Sequence, residues 1–159
     1  MEMHHNQEIL EKFYNSFQSK NYPFMQACYH KNAVFSDPIF NDLNAGEVKA
    51  MWKMLLLKGK DLTINFKISE VNDGLGRVEW VATYTFSKTQ KKVVNHISSH
   101  FIFKDGKIFK QEDYFNFYKW ASQAFGITGI LMGWTSFFQK KVQDMASKGL
   151  SEFIEKDKS

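Results

Sequence analysis

The stretch Val34-Phe35-Ser36-Asp37-Pro38-Ile39-Phe40 sets a carboxylate just before a proline, inside an otherwise apolar run. Proline biases the residue before it toward extended backbone. Phe35, Ile39 and Phe40 surround Asp37 with hydrocarbon. A carboxylate that loses water rises in pKa unless a donor or cation offsets the loss, and a general base that works near neutral pH is made that way. Aspartate before proline also starts turns. For the dipeptide alone the turn is the favoured reading, because a perturbed carboxylate marks function only statistically.

The frame around this segment narrows the classes of function. A chain of 159 residues suffices for one domain with a sizeable core. Its 43% hydrophobic and 24% charged residues are ordinary for a soluble globular protein. Sixteen phenylalanines suggest an aromatic-lined interior. The single cysteine, Cys28, rules out an internal disulfide and suits a reducing compartment. No Cys/His spacing resembles a structural zinc site, so no metal is expected. The terminal His4 and His5 read as part of a solvated tail. The net charge of +4 comes from lysine, with Arg77 the only arginine. Since arginine is the preferred side chain for bidentate phosphate and base contacts, nucleic acid is not expected as a partner. The first residues are polar and carry no leader pattern. The longest apolar stretch, 125–138, is glycine-broken and too short to span a bilayer. A cytoplasmic protein without a membrane partner is the resulting expectation.

Several elements must position Asp37. Ile9, Leu10, Phe13 and Phe17 recur at helical spacing over residues 6–20, with Tyr14 flanking the stripe. A short helix is predicted over 23–29, turning Phe24, Ala27 and Cys28 inward. Residues 47–57 read as helical, with Val48, Met51, Trp52 and Leu55 on one face. Period-two alternation then predicts strands at 62–71, 78–87, 93–103 and 107–115, with turns at Asp73-Gly74 and Asp105-Gly106. Beyond them, Phe117, Trp120, Ala121, Ala124 and Phe125 form a helical stripe ended by Gly126. Val142, Met145, Ala146, Leu150, Phe153 and Ile154 form another. Helices followed by consecutive strands imply an α+β domain with helices on one face of a curved antiparallel sheet. Such a sheet can form a cone with a pocket at its open end.

The element order, together with F-S-D-P-I-F (35–40), M-W-K-M-L (51–55), W-V-A-T-Y-T-F (80–86), V-V-N-H-I (93–97), F-I-F-K-D-G-K-I (101–108), D-Y-F-N-F (113–117), W-A-S-Q-A-F-G (120–126) and G-W-T (133–135), resembles the nuclear transport factor two-like superfamily. Within it, the likeness is to a bacterial SnoaL-like group with an added C-terminal helical segment. The resemblance runs from about Asn6 to Phe115. It implies a cone-shaped domain with a core at about 6–116 and an extension at about 117–156. Ketosteroid isomerases of that superfamily keep their general base in a D-P step, which matches Asp37, and a catalytic tyrosine on the first helix, which matches Tyr14. Where they carry a second, acidic oxyanion donor, this chain has Ser99. SnoaL-like cyclases use an aspartate on the last strand, which matches Asp113. The Arg-x-Asp pair of limonene epoxide hydrolase has only a superficial counterpart in Arg77-Val78-Glu79, whose charged members alternate with the apolar face.

Strand parity sorts the remaining polar groups. If Phe101 and Phe103 face the core, Asn95 and Ser99 do too, while His96, Ser98 and His100 face outward. The polar groups of a ligand site are then Tyr14, Asp37, Asn95, Ser99, Gln111 and Asp113. Trp52, Trp80, Tyr84, Phe86, Phe101 and Phe115 supply apolar walls. The plainer reading of Asn95 and Asp113 is that they tie strands to loops by hydrogen bonds; for Asp113 the two readings are even. The expected activity is cofactor-free acid/base isomerisation or cyclisation of an apolar carbonyl compound. Two alternatives are a non-catalytic binder of an apolar small molecule and an interaction domain docking through residues 126–135 and the last helix. A homodimer across the outer sheet face is expected, as relatives often form.

Overall fold

The computed structural model describes residues 4–158. The first helix, α1 (His5–Gln18), begins at His4, whose Nδ1 accepts from the Asn6 backbone N–H at 3.1 Å. His4 also lies 2.6 Å from Asp73, so it is a helix cap joined to a β-turn and not a loose tail. Asn6 reinforces that join by donating to the carbonyls of Asn72 and Asp73, each at 2.9 Å. The apolar stripe of α1 then buries Ile9, Leu10, Phe13, Tyr14 and Phe17.

The second helix, α2, is only Tyr22–Gln26. It buries Met25, whereas Phe24 and Ala27 are exposed, contrary to the inward placement predicted for them. A single turn has too few residues for a periodic stripe to fix its phase; Lys12 covers the Phe24 ring instead. The chain continues into β1 (Tyr29–Ser36), a strand the sequence pattern did not disclose, and the two-residue β2 (Leu43–Asn44). Helix α3 (Ala45–Lys58) starts with a reciprocal capping box between Asn44 and Glu47. It buries Val48, Met51 and Trp52 as predicted, with Leu56 inward in place of the exposed Leu55.

Four long strands follow: β3 (Thr63–Val71), β4 (Leu75–Phe86), β5 (Lys91–Lys104) and β6 (Lys107–Tyr114). The sheet order is β2-β1-β6-β5-β4-β3. All neighbours are antiparallel except β1 and β6, which run parallel. That pair is joined through most of the domain rather than by a hairpin, so a parallel pairing is open to it. The fold is the curved α+β cone expected, with one parallel pair. Burial alternates along β5: Val93, Asn95, Ile97, Ser99, Phe101 and Phe103 are buried on one face of the sheet. A glycine is required where α1 approaches β4, because a Cβ on Gly76 would stand 2.9 Å from Leu10 and 3.0 Å from Phe103.

The C-terminal segment forms α4 (Phe117–Phe125), α5 (Ile127–Met132) and α6 (Ser136–Asp157). Strand directions put the ends of β1, β4 and β6 and the start of β5 at one end of the sheet. These helices pack at that end. Trp120, Ala121, Ala124 and Val142 bury a second cluster with Val93, against Tyr84, Phe86, Phe115 and Ile39. Further along α6, Leu150 enters the main core, and Asp157 pairs with Lys53 of α3 at 2.8 Å. The extension is thus the roof of the cone's mouth.

Candidate functional site

The concave side carries a directed chain of hydrogen bonds that ends on one carboxylate. An indole N–H can only donate. Trp80 Nε1 donates to Ser99 Oγ at 2.7 Å, which leaves the serine proton to go to Asp113 Oδ1 at 2.5 Å. On the other side Trp52 Nε1 donates to the Tyr29 hydroxyl at 2.7 Å, Tyr29 donates to Gln111 Oε1 at 2.5 Å, and Gln111 Nε2 donates to the same Asp113 Oδ1 at 3.1 Å. Two donor-only groups therefore set the sense of both branches and the orientation of the Gln111 amide. The cross-strand register supplies the spacing: Ser99 stands opposite Asp113, and Phe101 opposite Gln111.

Asp113 is 5% exposed. Burial pushes its carboxyl up to about 7; the Ser99 bond opposes the rise, the charge of Asp37 adds to it, and the Gln111 bond opposes it again. Because Oδ1 accepts two bonds and Oδ2 neither of them, the proton resides on Oδ2 when Asp113 is neutral.

Asp37 is held differently. It is half-buried beyond the end of β1, and its Oδ1 accepts from the backbone N–H groups of Ile39 and Phe40, both at 2.7 Å. Its own N–H donates to the Phe40 carbonyl at 2.8 Å. The segment is therefore a tight turn, and the turn and the perturbed carboxylate coexist. Burial raises the Asp37 carboxyl to about 6, against the lowering effect of the Phe40 and Ile39 bonds. Its Oδ2 stays open. The turn is pinned from above by Gln139 and Gln143 of α6, which donate to the Pro38 carbonyl at 3.0 and 3.1 Å.

Tyr14 does not lie beside Asp37. Its hydroxyl is buried and makes no hydrogen bond of good geometry; burial and then the charge of Asp113 push its titration well upward, and the neighbouring Ser99 hydroxyl opposes that rise. The ring is wedged between Phe66, at 5.2 Å, and Trp80, at 5.8 Å. Tyr14 thus belongs to the Asp113 end of the site.

The other residues predicted for the site divide between the two ends. Ser99, Gln111, Trp52, Trp80 and Phe101 surround Asp113 and Tyr14. Tyr84, Phe86 and Phe115 are half-buried at the mouth, under Trp120. Trp120 Nε1 donates to the Tyr84 hydroxyl at 2.8 Å, and the charge of Asp37 helps raise the Tyr84 titration after burial. Asn95 is buried on the same face of β5, opposite Ala82, with no hydrogen bond to its amide. Arg77 and Glu79 are exposed on the outer face. Tyr29 is the residue sequence reasoning missed. No alternation announces it, because Val34 stands between Ala33 and Phe35 and the register is irregular between Tyr29 and Val34.

A profile described as a SnoaL-like domain matches residues 10–111. The chain belongs to the SnoaL-like family. Asp113 and the three C-terminal helices lie beyond the matched span of this SnoaL-like protein. No protein of curated function matches it in sequence. Among solved structures it is similar to an LEH-like epoxide hydrolase from M. tuberculosis, at 15% identity and TM-score 0.61, covering 80% of this chain and 95% of that one. A polyketide cyclase candidate from Silicibacter sp. shares 17% identity at TM-score 0.64, covering 74% and 93%. An isomerase candidate from Bacillus subtilis shares 19% at TM-score 0.62, covering 77% and 93%. At these identities the likeness establishes the fold, which hosts several chemistries. Among the described residues no helix is long and apolar enough to cross a membrane, and no group of three or more His, Cys, Asp and Glu could hold a metal.

Proposed function

We propose that the chain is an acid/base catalyst of the isomerase or cyclase type, acting without a cofactor on an apolar carbonyl compound. The observation that carries this reading is the pair of carboxylates, raised to about 6 and about 7, the charge of the first adding to the rise of the second, each with one oxygen tied and one open. Groups whose environments set them apart around neutral pH divide acid and base roles. Asp37, the lower of the two, is the base and takes a proton from carbon next to the carbonyl. Charge then develops on the carbonyl oxygen. Asp113, protonated on Oδ2, and the unpartnered Tyr14 hydroxyl donate to it. Asp113 thereby supplies, from the neighbouring strand, the acid that is absent at Ser99.

The test is exchange of carbon-bound hydrogen for deuterium, followed by NMR, over a panel of cyclic enones and β-diketones. Asp37→Asn and Asp113→Asn should each lower the rate by about two to four orders of magnitude. The rate should rise with pH through about 6, as Asp37 ionises, and fall through about 7, as Asp113 loses its proton. Activity that persists in Asp37→Asn and vanishes in Asp113→Asn would make Asp113 the base. Binding of such compounds with no exchange for any of them would favour the binder.

A homodimer across the outer sheet face remains part of this proposal. Exposed Val94, Ile102 and Tyr114 and a groove of about 400 Å³ lined by Lys67, Glu79, His96 and Ser98 support it. Sedimentation at micromolar concentration checks it, and a monomer there would overturn it.

A further inference from the structure

The segment from α5 into the first turn of α6 presents apolar side chains to solvent. Ile127 is 76% exposed, Leu131 64%, Trp134 74% and Phe137 65%, with Ile130 and Met132 beside them. Exposed apolar patches on this scale mark interaction sites.

The segment is braced and not loose. A Cβ on Gly129 would stand 1.9 Å from the Ala121 carbonyl oxygen, so α5 lies directly on α4 through glycine. The Tyr118 hydroxyl donates to the Ile130 carbonyl at 2.9 Å, and Trp134 Nε1 donates to the Leu131 carbonyl at 3.0 Å. One face of the short helix is clamped while the other is held outward.

The charges nearest to it along the chain are mostly basic. Between Asp113 and Asp144 the chain has no acidic residue, and its only charges are Lys119, Lys140 and Lys141. Lys141 Nζ sits 5.6 Å from the Phe137 ring centroid. Lys91 reaches the start of α5, where a Cβ on Gly126 would lie 2.9 Å from its Cε. Asp144, the nearest acid in sequence, is paired with Lys140.

We infer that this face docks on the surface of an anionic lipid bilayer, with Ile127, Leu131, Trp134 and Phe137 entering the interface and the lysine rim meeting the headgroups. Apolar side chains with a flanking indole and lysines are what an interfacial segment needs. A second copy of the chain fits less well, because a symmetric contact through this face would oppose the lysine rims. The expectation of no membrane partner rested on the length of the apolar run, which bears on spanning and not on surface attachment. The docked face adjoins the roof of the mouth: Gln139 and Gln143, which hold Pro38, line a surface groove with Phe137. If the proposed activity holds, an apolar substrate would reach the site from the bilayer; the docking itself does not depend on that activity.

The experiment is co-sedimentation of the full chain with vesicles of phosphatidylcholine alone and of phosphatidylcholine mixed with phosphatidylglycerol. Trp52, Trp80 and Trp120 are buried, so a blue shift of indole fluorescence reports Trp134. Binding and a blue shift are expected with the mixed vesicles, both weakened by salt. Trp134→Ser, at an exposed position, should weaken binding about tenfold. The double variant Lys140→Glu with Lys141→Glu should weaken it by at least as much. Failure of the wild type to bind mixed vesicles would overturn the inference, as would binding unchanged in Trp134→Ser. A dimer formed without lipid and dissolved by Trp134→Ser would assign the face to a second copy instead, and would likewise overturn it. Neither result would touch the exchange activity that tests the site.

Discussion

Asp113 and Asp37 both titrate above the ordinary carboxylate range, yet different kinds of group hold them. Around Asp113 the donors are side chains from α3, β1, β4, β5 and β6, terminated by two indoles. Around Asp37 they are the backbone N–H groups of the next residues in the chain, with the turn pinned by α6. The deep carboxylate is therefore fixed by the whole sheet. The one at the mouth is fixed by a local turn and a removable roof. Burial is the main lift for both groups, with the charge of Asp37 adding to that of Asp113, while the donors decide how far each can move and what disturbs it. Changes to the extension should act on Asp37, and changes to the sheet's polar face on Asp113.

The largest effect expected from breaking this division is removal of the roof. A chain ending after Gly133 loses Val142 and Leu150, both buried, and the half-buried Phe138, Phe153 and Ile154. It also uncovers Phe117 and Phe125, whose rings pack on Phe138. Full burial of such side chains contributes about 1.5–3 kcal/mol each. The melting temperature should fall by more than about 10 °C. Asp37, with water restored, should titrate nearer the ordinary carboxylate value, while Asp113 should be little changed. Calorimetry and NMR titration measure the two. An unchanged melting curve would show that the extension roofs nothing.

The next effect separates the carboxylates by pH. The carboxyl of Asp113 sits at about 7 in the folded chain against an ordinary 3.8, so the folded state binds more protons between those values. Stability then falls as pH rises from about 4 to about 7 and levels off above. Asp113→Asn removes the charge and keeps the size. At about pH 8 it should raise the melting temperature, on the order of 5–10 °C, and at about pH 4 it should change it little. Asp37→Asn should do the same over a narrower window closing near 6. Equal gains at both pH values would mean that desolvation of the ionised carboxyl is not the cause.

How much of this was legible in sequence follows from the period of each element. Alternation along β5 and β6 put Asn95, Ser99, Gln111 and Asp113 on one face, because a period of two leaves little freedom in a long strand. The apolar stripes of α1, α3 and α6 were equally clear. What escaped depended on pairing between distant segments. Tyr29 joins the network only because β1 lies beside β6 in parallel, and nothing near residue 29 announces that. Phe24 and Ala27 escaped because a five-residue helix carries too little pattern. The placement of Tyr14 beside Asp113 and away from Asp37 is likewise a matter of which strand α1 crosses, which residue spacing does not encode.

The smallest effect is the sharpest test of the deep end. The Tyr14 hydroxyl is buried with no partner, in a wall of aromatic rings. A polar group buried without a hydrogen bond costs about 1–3 kcal/mol. Under the proposed function, that cost is kept because the hydroxyl is a donor facing a developing oxyanion. Tyr14→Phe deletes one oxygen and leaves the ring contacts with Phe66, Phe17 and Trp80 in place. It should therefore leave the melting temperature unchanged or raise it by a few degrees, about 2–4 °C per kcal/mol recovered. Exchange activity should fall in the same variant, by roughly two orders of magnitude if the hydroxyl is one of two oxyanion donors. Stability and activity then move in opposite directions from a single atom. Loss of stability in Tyr14→Phe would show that the hydroxyl is bonded after all and holds the core; unchanged exchange would remove Tyr14 from the chemistry and leave Asp113 as the donor at that end.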